Sequence, residues 1–222
     1  MKTGKKRIRS REAGATRRYR QRGGAALMLF ASLLLLSGCS LKNVHLTPLA
    51  ANVHLDNTYR MKEKFWALAD LYIIRGEQNE PLFQVKGKLF SIGDKLALCD
   101  MEGNELARIS EQVISVLKRY HITRPDGSYA VFRKDVHLFK DKFTIKIPGE
   151  AGYVVRGDFW DYEYGFYRRG RLVAVVSKNL FSWTDAYAIQ VARGEDDVLI
   201  LAAAVVIDKI KEGEELRQRD AD

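Results

Sequence analysis

Much of what enzymes use is scarce in this sequence. Among 222 residues there are two cysteines, Cys39 and Cys99, and four histidines, His45, His54, His121 and His137. Two cysteines allow at most one disulfide. The histidines never fall into HExxH or a comparable ligand spacing, so no metal site is expected. No serine stands in GxSxG, and no GxxxxGK(S/T) or GxGxxG follows a strand. Cys99 has no evident paired base and reads as a small half-buried strand residue rather than a nucleophile. The expectation is a non-enzymatic protein with no catalytic residue and no cofactor. Apolar runs are also short: none approaches the roughly 20 residues that a membrane-spanning helix needs.

The formal net charge of +9 would suit a nucleic-acid ligand, but its distribution removes that reading. Residues 1–38 hold ten Lys or Arg against the single acid Glu12, which accounts for all nine charges. The remainder carries 27 bases and 27 acids. The body is electrically balanced, and no nucleic-acid partner is expected.

The basic leader ends at Arg22 and is followed by a largely apolar run of twelve residues, Ala25 to Leu36. That is the length of a signal-peptide core and too short to span a bilayer. The run closes on Leu36-Ser37-Gly38-Cys39-Ser40. These residues resemble the lipobox of bacterial lipoproteins. The resemblance implies cleavage between Gly38 and Cys39, with a diacylglyceryl thioether on the Cys39 sulfur and further acylation of its new amine. Lipid chains contribute about 0.8 kcal/mol per buried methylene, so two or three make a firm tether. Arg17-Arg18 is a twin arginine, but Arg20 and Gln21 stand where apolar residues are expected, which leaves general secretion as the default route. Met28 is an alternative start. The expected address is the cell envelope outside the cytoplasm, with Ser40 favouring the outer membrane where one exists. The expected partners are the membrane itself, a phospholipid or an envelope protein.

Residues 1–38 thus read as signal peptide and 39–58 as a polar tether. Residues 59–211 read as a domain and 212–222 as a charged, frayed tail. The domain is rich in short alternating segments separated by turn residues: Leu71–Arg75, Leu82–Val85, Lys86 to Ile109 with a Gly93-Asp94 turn and a turn closed by Gly103, the Pro125-Asp126-Gly127 hairpin, and Phe143–Ile147. Leu172–Val176 is apolar throughout, as in a strand covered on both faces. Near the end, Val198 to Ile207 are ten apolar residues in a row, with Asp196 and Asp197 before them, Lys209 and Lys211 after them, and Gly213 beyond. Acids first, bases last and a closing glycine are helix punctuation. A helix apolar on all sides must be buried on all sides. Ten to twelve strands around one such helix make a mainly β domain, either a sheet curled around the helix or two sheets clamping it.

Lys88-Leu89-Phe90-Ser91-Ile92-Gly93-Asp94-Lys95 with Asp100-Met101-Glu102-Gly103, Val173–Lys178 with Asp185-Ala186-Tyr187, and Leu199–Asp208 resemble the motifs of the LURP-one-related family. The resemblance covers roughly residues 59–211. It implies the fold shared with tubby C-terminal domains and phospholipid scramblases, an antiparallel barrel of about twelve strands wrapped around a hydrophobic C-terminal helix. Tubby surfaces bind phosphoinositide head groups and scramblase-like members associate with membranes, which makes a binding or scaffold domain, or a lipid-handling one, the functional expectation.

Three local groups remain. Arg168, Arg169 and Arg171 share a tight turn and could hold a phosphate or a lipid head group. Trp160, Tyr162, Tyr164 and Phe166 alternate along one strand face and are expected to pack on the helix. Asp161 and Glu163 fall on the opposite face; with Asp158 they could bind a cation or act as a carboxylate pair, but solvated acids are the expectation.

Overall fold

The computed structural model describes residues 53–62, 71–87, 95–112, 118–135, 142–178 and 186–221. The leader, Cys39 and the lipobox, most of the tether, the Leu89–Ile92 strand with its Gly93-Asp94 turn, and Asp185 lie outside the described residues.

The strands are β1 (Leu55–Lys62), β2 (Leu71–Arg75), β3 (Pro81–Lys86), β4 (Lys95–Asp100), β5 (Glu105–Glu111), β6 (Arg119–Thr123), β7 (Tyr129–Asp135), β8 (Lys142–Lys146), β9 (Tyr153–Asp158), β10 (Glu163–Arg168), β11 (Arg171–Ser177) and β12 (Ala186–Ala192). One helix, α1 (Asp197–Arg219), follows. The twelve strands form a closed antiparallel barrel in which each lies beside its sequence neighbours and β1 closes against β12. Closure leaves little free strand edge among the described residues, with β1 and β2 joined by the single pair Arg60 and Arg75. The second alternative, two sheets clamping a helix, is thereby set aside.

Inward positions follow the two-residue period of a strand. Leu96 and Leu98, Tyr120 and Ile122, Phe132, Phe143 and Ile145, and Ile189 and Val191 are all fully buried. Leu172 to Val176 is buried at every position, as a continuous apolar strand should be. β1 begins at Leu55, inside the stretch read as tether, because Leu55 already pairs with Ala192 of β12.

Ten consecutive residues of α1, Leu199–Asp208, are buried, so almost three turns have no wet face. Each fully buried Leu, Ile or Val contributes about 1.5–3 kcal/mol relative to exposure, and six of these ten are of that kind. The helix runs nearest to β5, β6 and β12. Ala202, Ala203 and Ala204 face the wall with no side chain beyond Cβ, and Ala107 of β5 is similarly small.

Both ends of the helix are fastened to the wall. At the start, the Asp196 side chain accepts from the Leu199 N–H at 3.0 Å and pairs with Arg124. Asn57 of β1 donates to Asp197 at 3.0 Å. Asp196 is the N-cap, and Asp197 stands in the first turn, so both acids sit at the helix start as the sequence pattern suggests. At the other end the expectation fails. Gly213 does not stop the helix, which continues to Arg219, and residues 212–219 are helical rather than frayed. A helix-interior glycine costs about 1 kcal/mol, and good helix formers on either side offset it. Lys134 of β7 also holds Glu214 at 2.7 Å, and Arg217 donates to the Gly213 carbonyl at 2.9 Å. Lys209 and Lys211 are therefore mid-helix residues. Lys211 is only 6% exposed, with its ammonium 3.1 Å from the centre of the Tyr162 ring.

Candidate functional site

The barrel interior is filled by α1, so a site for a ligand has to be sought on the surface. The turn from β10 to β11 forms one wall of a cleft of about 730 Å³. The turn is two residues long, Arg169 with φ 50° and Gly170 with φ 80°. Two successive left-handed residues make the type I′ geometry that matches the twist of a hairpin. It places Arg168 directly opposite Arg171 and projects Arg169 from the tip. The opposite wall is the entry to β1, where Val53, His54 and Asp56 line the cleft. Ala192, Arg193 and Glu195, where β12 passes into α1, also line it.

The arginines expected to act together divide into two kinds. Arg168 is engaged on three sides. Its Nε donates to the Ala151 carbonyl at 2.9 Å, Nη2 to Glu150 at 2.8 Å and Nη1 to Glu195 at 3.3 Å. Its guanidinium also lies over the Tyr153 ring, and the Tyr153 hydroxyl donates to the same Glu195 oxygen at 2.8 Å. Burial, then the Glu195 hydrogen bond, pushes the Tyr153 phenol well above its ordinary range. Arg168 thus ties the hairpin to the β8–β9 turn and to the helix entry. Arg169 and Arg171 are exposed and, among the described residues, have no carboxylate partner. Arg193 was not singled out in the sequence. Its backbone N–H and guanidinium both donate to Asp56, at 3.0 and 3.2 Å. The contact joins residues 137 apart in sequence, so no local pattern signals it.

The aromatic face is rearranged. Residues 159–162 form a turn, and the Asp158 carboxylate accepts from the Trp160 and Asp161 N–H groups at 3.0 Å each. Tyr162 has φ 55°, so β10 starts only at Glu163 and the strand alternation does not extend back to Trp160. Trp160 is 43% exposed. Phe159 takes the inward place instead, with ring centres 4.7 Å from Phe143 and 5.0 Å from Tyr164. Tyr162, Tyr164 and Phe166 are buried, as expected. Of the three acids, Asp158 holds the turn, and Glu163 accepts from the Ser177 hydroxyl at 2.8 Å and the Lys178 N–H at 3.0 Å. Among the described residues no three His, Cys, Asp or Glu side chains gather as metal ligands would. Cys99 is buried, and burial raises its thiol pKa above the ordinary value. No helix among the described residues is long and apolar enough to cross a membrane.

A second polar cluster lies inside the wall. Tyr187 of β12 donates to Asp208 of α1 at 2.6 Å, and its ring stacks on Tyr162 with centres 4.5 Å apart. Lys211 donates to the Trp160 carbonyl at 3.3 Å. The signal for it was present, since Asp208 ends the apolar run, but an acid there reads equally well as solvated.

The LURP-one-related family model matches residues 57–208, and the chain belongs to that family. It is 31% identical over 150 residues to the uncharacterized protein YxjI of Bacillus subtilis, a match covering 68% of this chain and 91% of that one. A solved X-ray structure of an Arabidopsis thaliana protein aligns with 70% of this chain and 91% of its own, at 15% identity and a TM-score of 0.49.

Proposed function

We propose that this is an exported lipoprotein of the bacterial cell envelope, held by lipid on Cys39, whose barrel is a non-catalytic binding or scaffold module. One observation carries the anchor: Leu36-Ser37-Gly38-Cys39 follows a twelve-residue apolar run behind a basic segment. The filled interior supports a module that works through its outside. The decisive measurement is the intact mass of the protein taken from its own membranes. The expected product begins at Cys39 and carries a diacylglyceryl adduct. A chain that keeps residues 1–38, or a bare Cys39 thiol, would end this reading. Crosslinking in the envelope would identify a protein partner.

The cleft favours a second reading, a phospholipid-binding or lipid-handling protein. Two uncompensated guanidiniums beside the point where the tether enters β1 suit the phosphate of a head group. Flotation of the unlipidated chain, residues 40–222, with phosphatidylglycerol vesicles, against phosphatidylcholine alone, tests it. Equal recovery with both would count against it.

A further inference from the structure

We infer that the cleft between the β10–β11 turn and the entry to β1 is a phosphate-ester site in which Arg169 and Arg171 contact the ligand and Asp56 is the built-in counter-anion that the ligand displaces from Arg193. The inference rests on the phospholipid reading of the cleft and not on acylation of Cys39.

The charge inventory comes first. The cleft is lined by four arginines, Arg168, Arg169, Arg171 and Arg193, and by the carboxylates of Asp56 and Glu195. Glu195 is spent on Arg168 and Tyr153, and Asp56 on Arg193, with the His54 Nδ1 3.7 Å from the same Asp56 oxygen. Among the described residues two positive charges are left over, both at one two-residue hairpin turn. Guanidinium forks match phosphate oxygens in pairs, as an ammonium cannot. The uncompensated charge is thus matched by an oxyanion of charge near minus two, or by head groups packed at a surface.

Arg193 is the remaining guanidinium on the cleft and is 85% exposed although it is paired. A surface ion pair of this kind is weak, so an incoming oxyanion can take over the guanidinium at little cost. The backbone N–H of Arg193 keeps its own bond to Asp56, so the carboxylate stays in place when the side chain leaves. Arg168 acts differently. Held by Glu150, Glu195 and the Ala151 carbonyl, it is a positioning residue that sets the hairpin against the helix entry. The tether is part of the site as well, because Val53, His54 and Asp56 form one wall.

The test uses the protein as isolated from its own membranes and reconstituted in phosphatidylcholine vesicles, with inorganic phosphate as one probe and phosphatidylglycerol added to the vesicles as the other, read by amide hydrogen exchange. Both should slow exchange over residues 167–172 and 192–196. In Arg169→Ala/Arg171→Ala the affinity should fall at least about tenfold with an unchanged melting temperature, since these exposed side chains have no carboxylate partner among the described residues. Asp56→Asn should raise it by about threefold. Arg193→Ala should lower affinity and abolish the gain from Asp56→Asn, a coupling that survives any general loosening of the strand. Protection by phosphatidylglycerol and not by phosphate assigns the ligand as a head group. Equal protection by phosphate assigns a soluble phosphate ester. No protection by either, or protection unchanged in Arg169→Ala/Arg171→Ala, overturns the site. An unchanged affinity in Asp56→Asn overturns the displacement. A bare Cys39 by mass, with phosphate protection intact, would sink the anchor and leave the site standing.

Discussion

The Tyr187 hydroxyl of the barrel wall donates a 2.6 Å hydrogen bond to the Asp208 carboxylate of α1, a buried tie between the helix and the wall. Slippage by one turn would move the carboxylate about 5.4 Å into apolar surroundings. Tyr187→Phe should therefore destabilise the protein by about 2 kcal/mol, the worth of a hydrogen bond to a charged group. Chemical denaturation measures it. A loss below about 0.5 kcal/mol would show that Asp208 does not depend on the phenol.

Buried phenols make the fold sensitive to alkali. Desolvation by burial raises the pKa values of Tyr164 and Tyr187 well above 10, with Asp208 adding to the effect. Tyr59, Tyr72 and Tyr153 shift the same way. Above pH ~10 the unfolded chain loses phenolic protons that the folded chain keeps, so unfolding gains free energy as pH rises. Stability should begin to fall at about pH 8.5–9, where the Cys99 thiol of the unfolded chain titrates, and fall steeply above 10 as the phenols follow. Denaturation midpoints against pH decide it. Each tyrosine changed to phenylalanine should make the alkaline slope shallower, and a slope that ignores all of these changes would rule the phenols out.

Two glycines with left-handed φ give a matched pair. At Gly157, φ is +144° and a Cβ would lie 2.4 Å from the Glu163 carbonyl oxygen and 2.5 Å from the Tyr164 Cα. Gly149 has φ +76° and open space around it. Gly149→Ala should cost about 1 kcal/mol, the backbone term alone. Gly157→Ala should cost more than about 3 kcal/mol, because two strands must separate. Thermal melts of the two variants should differ by at least several degrees, and equal melts would mean that β9 and β10 are less closely apposed.

The two kinds of arginine should separate in the same way. Arg168→Ala should lower stability by about 1–3 kcal/mol, since it leaves Glu195 partly buried beside Tyr153 without its cation. Arg169→Ala should change stability by less than about 0.5 kcal/mol, as expected for a surface side chain without partners. Urea denaturation of the two variants compares them directly, and a reversed order would exchange their roles.

How much of this was legible in the residues depends on range. The run Val198 to Ile207 declared a helix buried all round, because nothing polar interrupts it and no strand needs ten apolar residues. The β-strands and their hairpins followed from local alternation and turn residues. Where a single backbone angle breaks the period, the pattern misled. The positive φ of Tyr162 exchanges Trp160 for Phe159 in the core, and no composition rule reveals it. Gly213 was read as a stop because the contact of Glu214 with Lys134 spans 80 residues. Arg168 looked equivalent to its neighbours for the same reason. Its carboxylate partners are 18 and 27 residues away and meet it only after the barrel closes.

The functional reading depends most on α1 being a permanent resident of the barrel, since a ligand is then confined to the outside. Native-state hydrogen exchange across a denaturant series tests this directly. Amides of Ile200 to Asp208 should exchange only through global unfolding and extrapolate to the full unfolding free energy, while those of residues 212–219 exchange at lower energies. If the Ile200–Asp208 amides instead open several kcal/mol below global unfolding, the helix leaves the barrel on its own and the interior is open to a ligand.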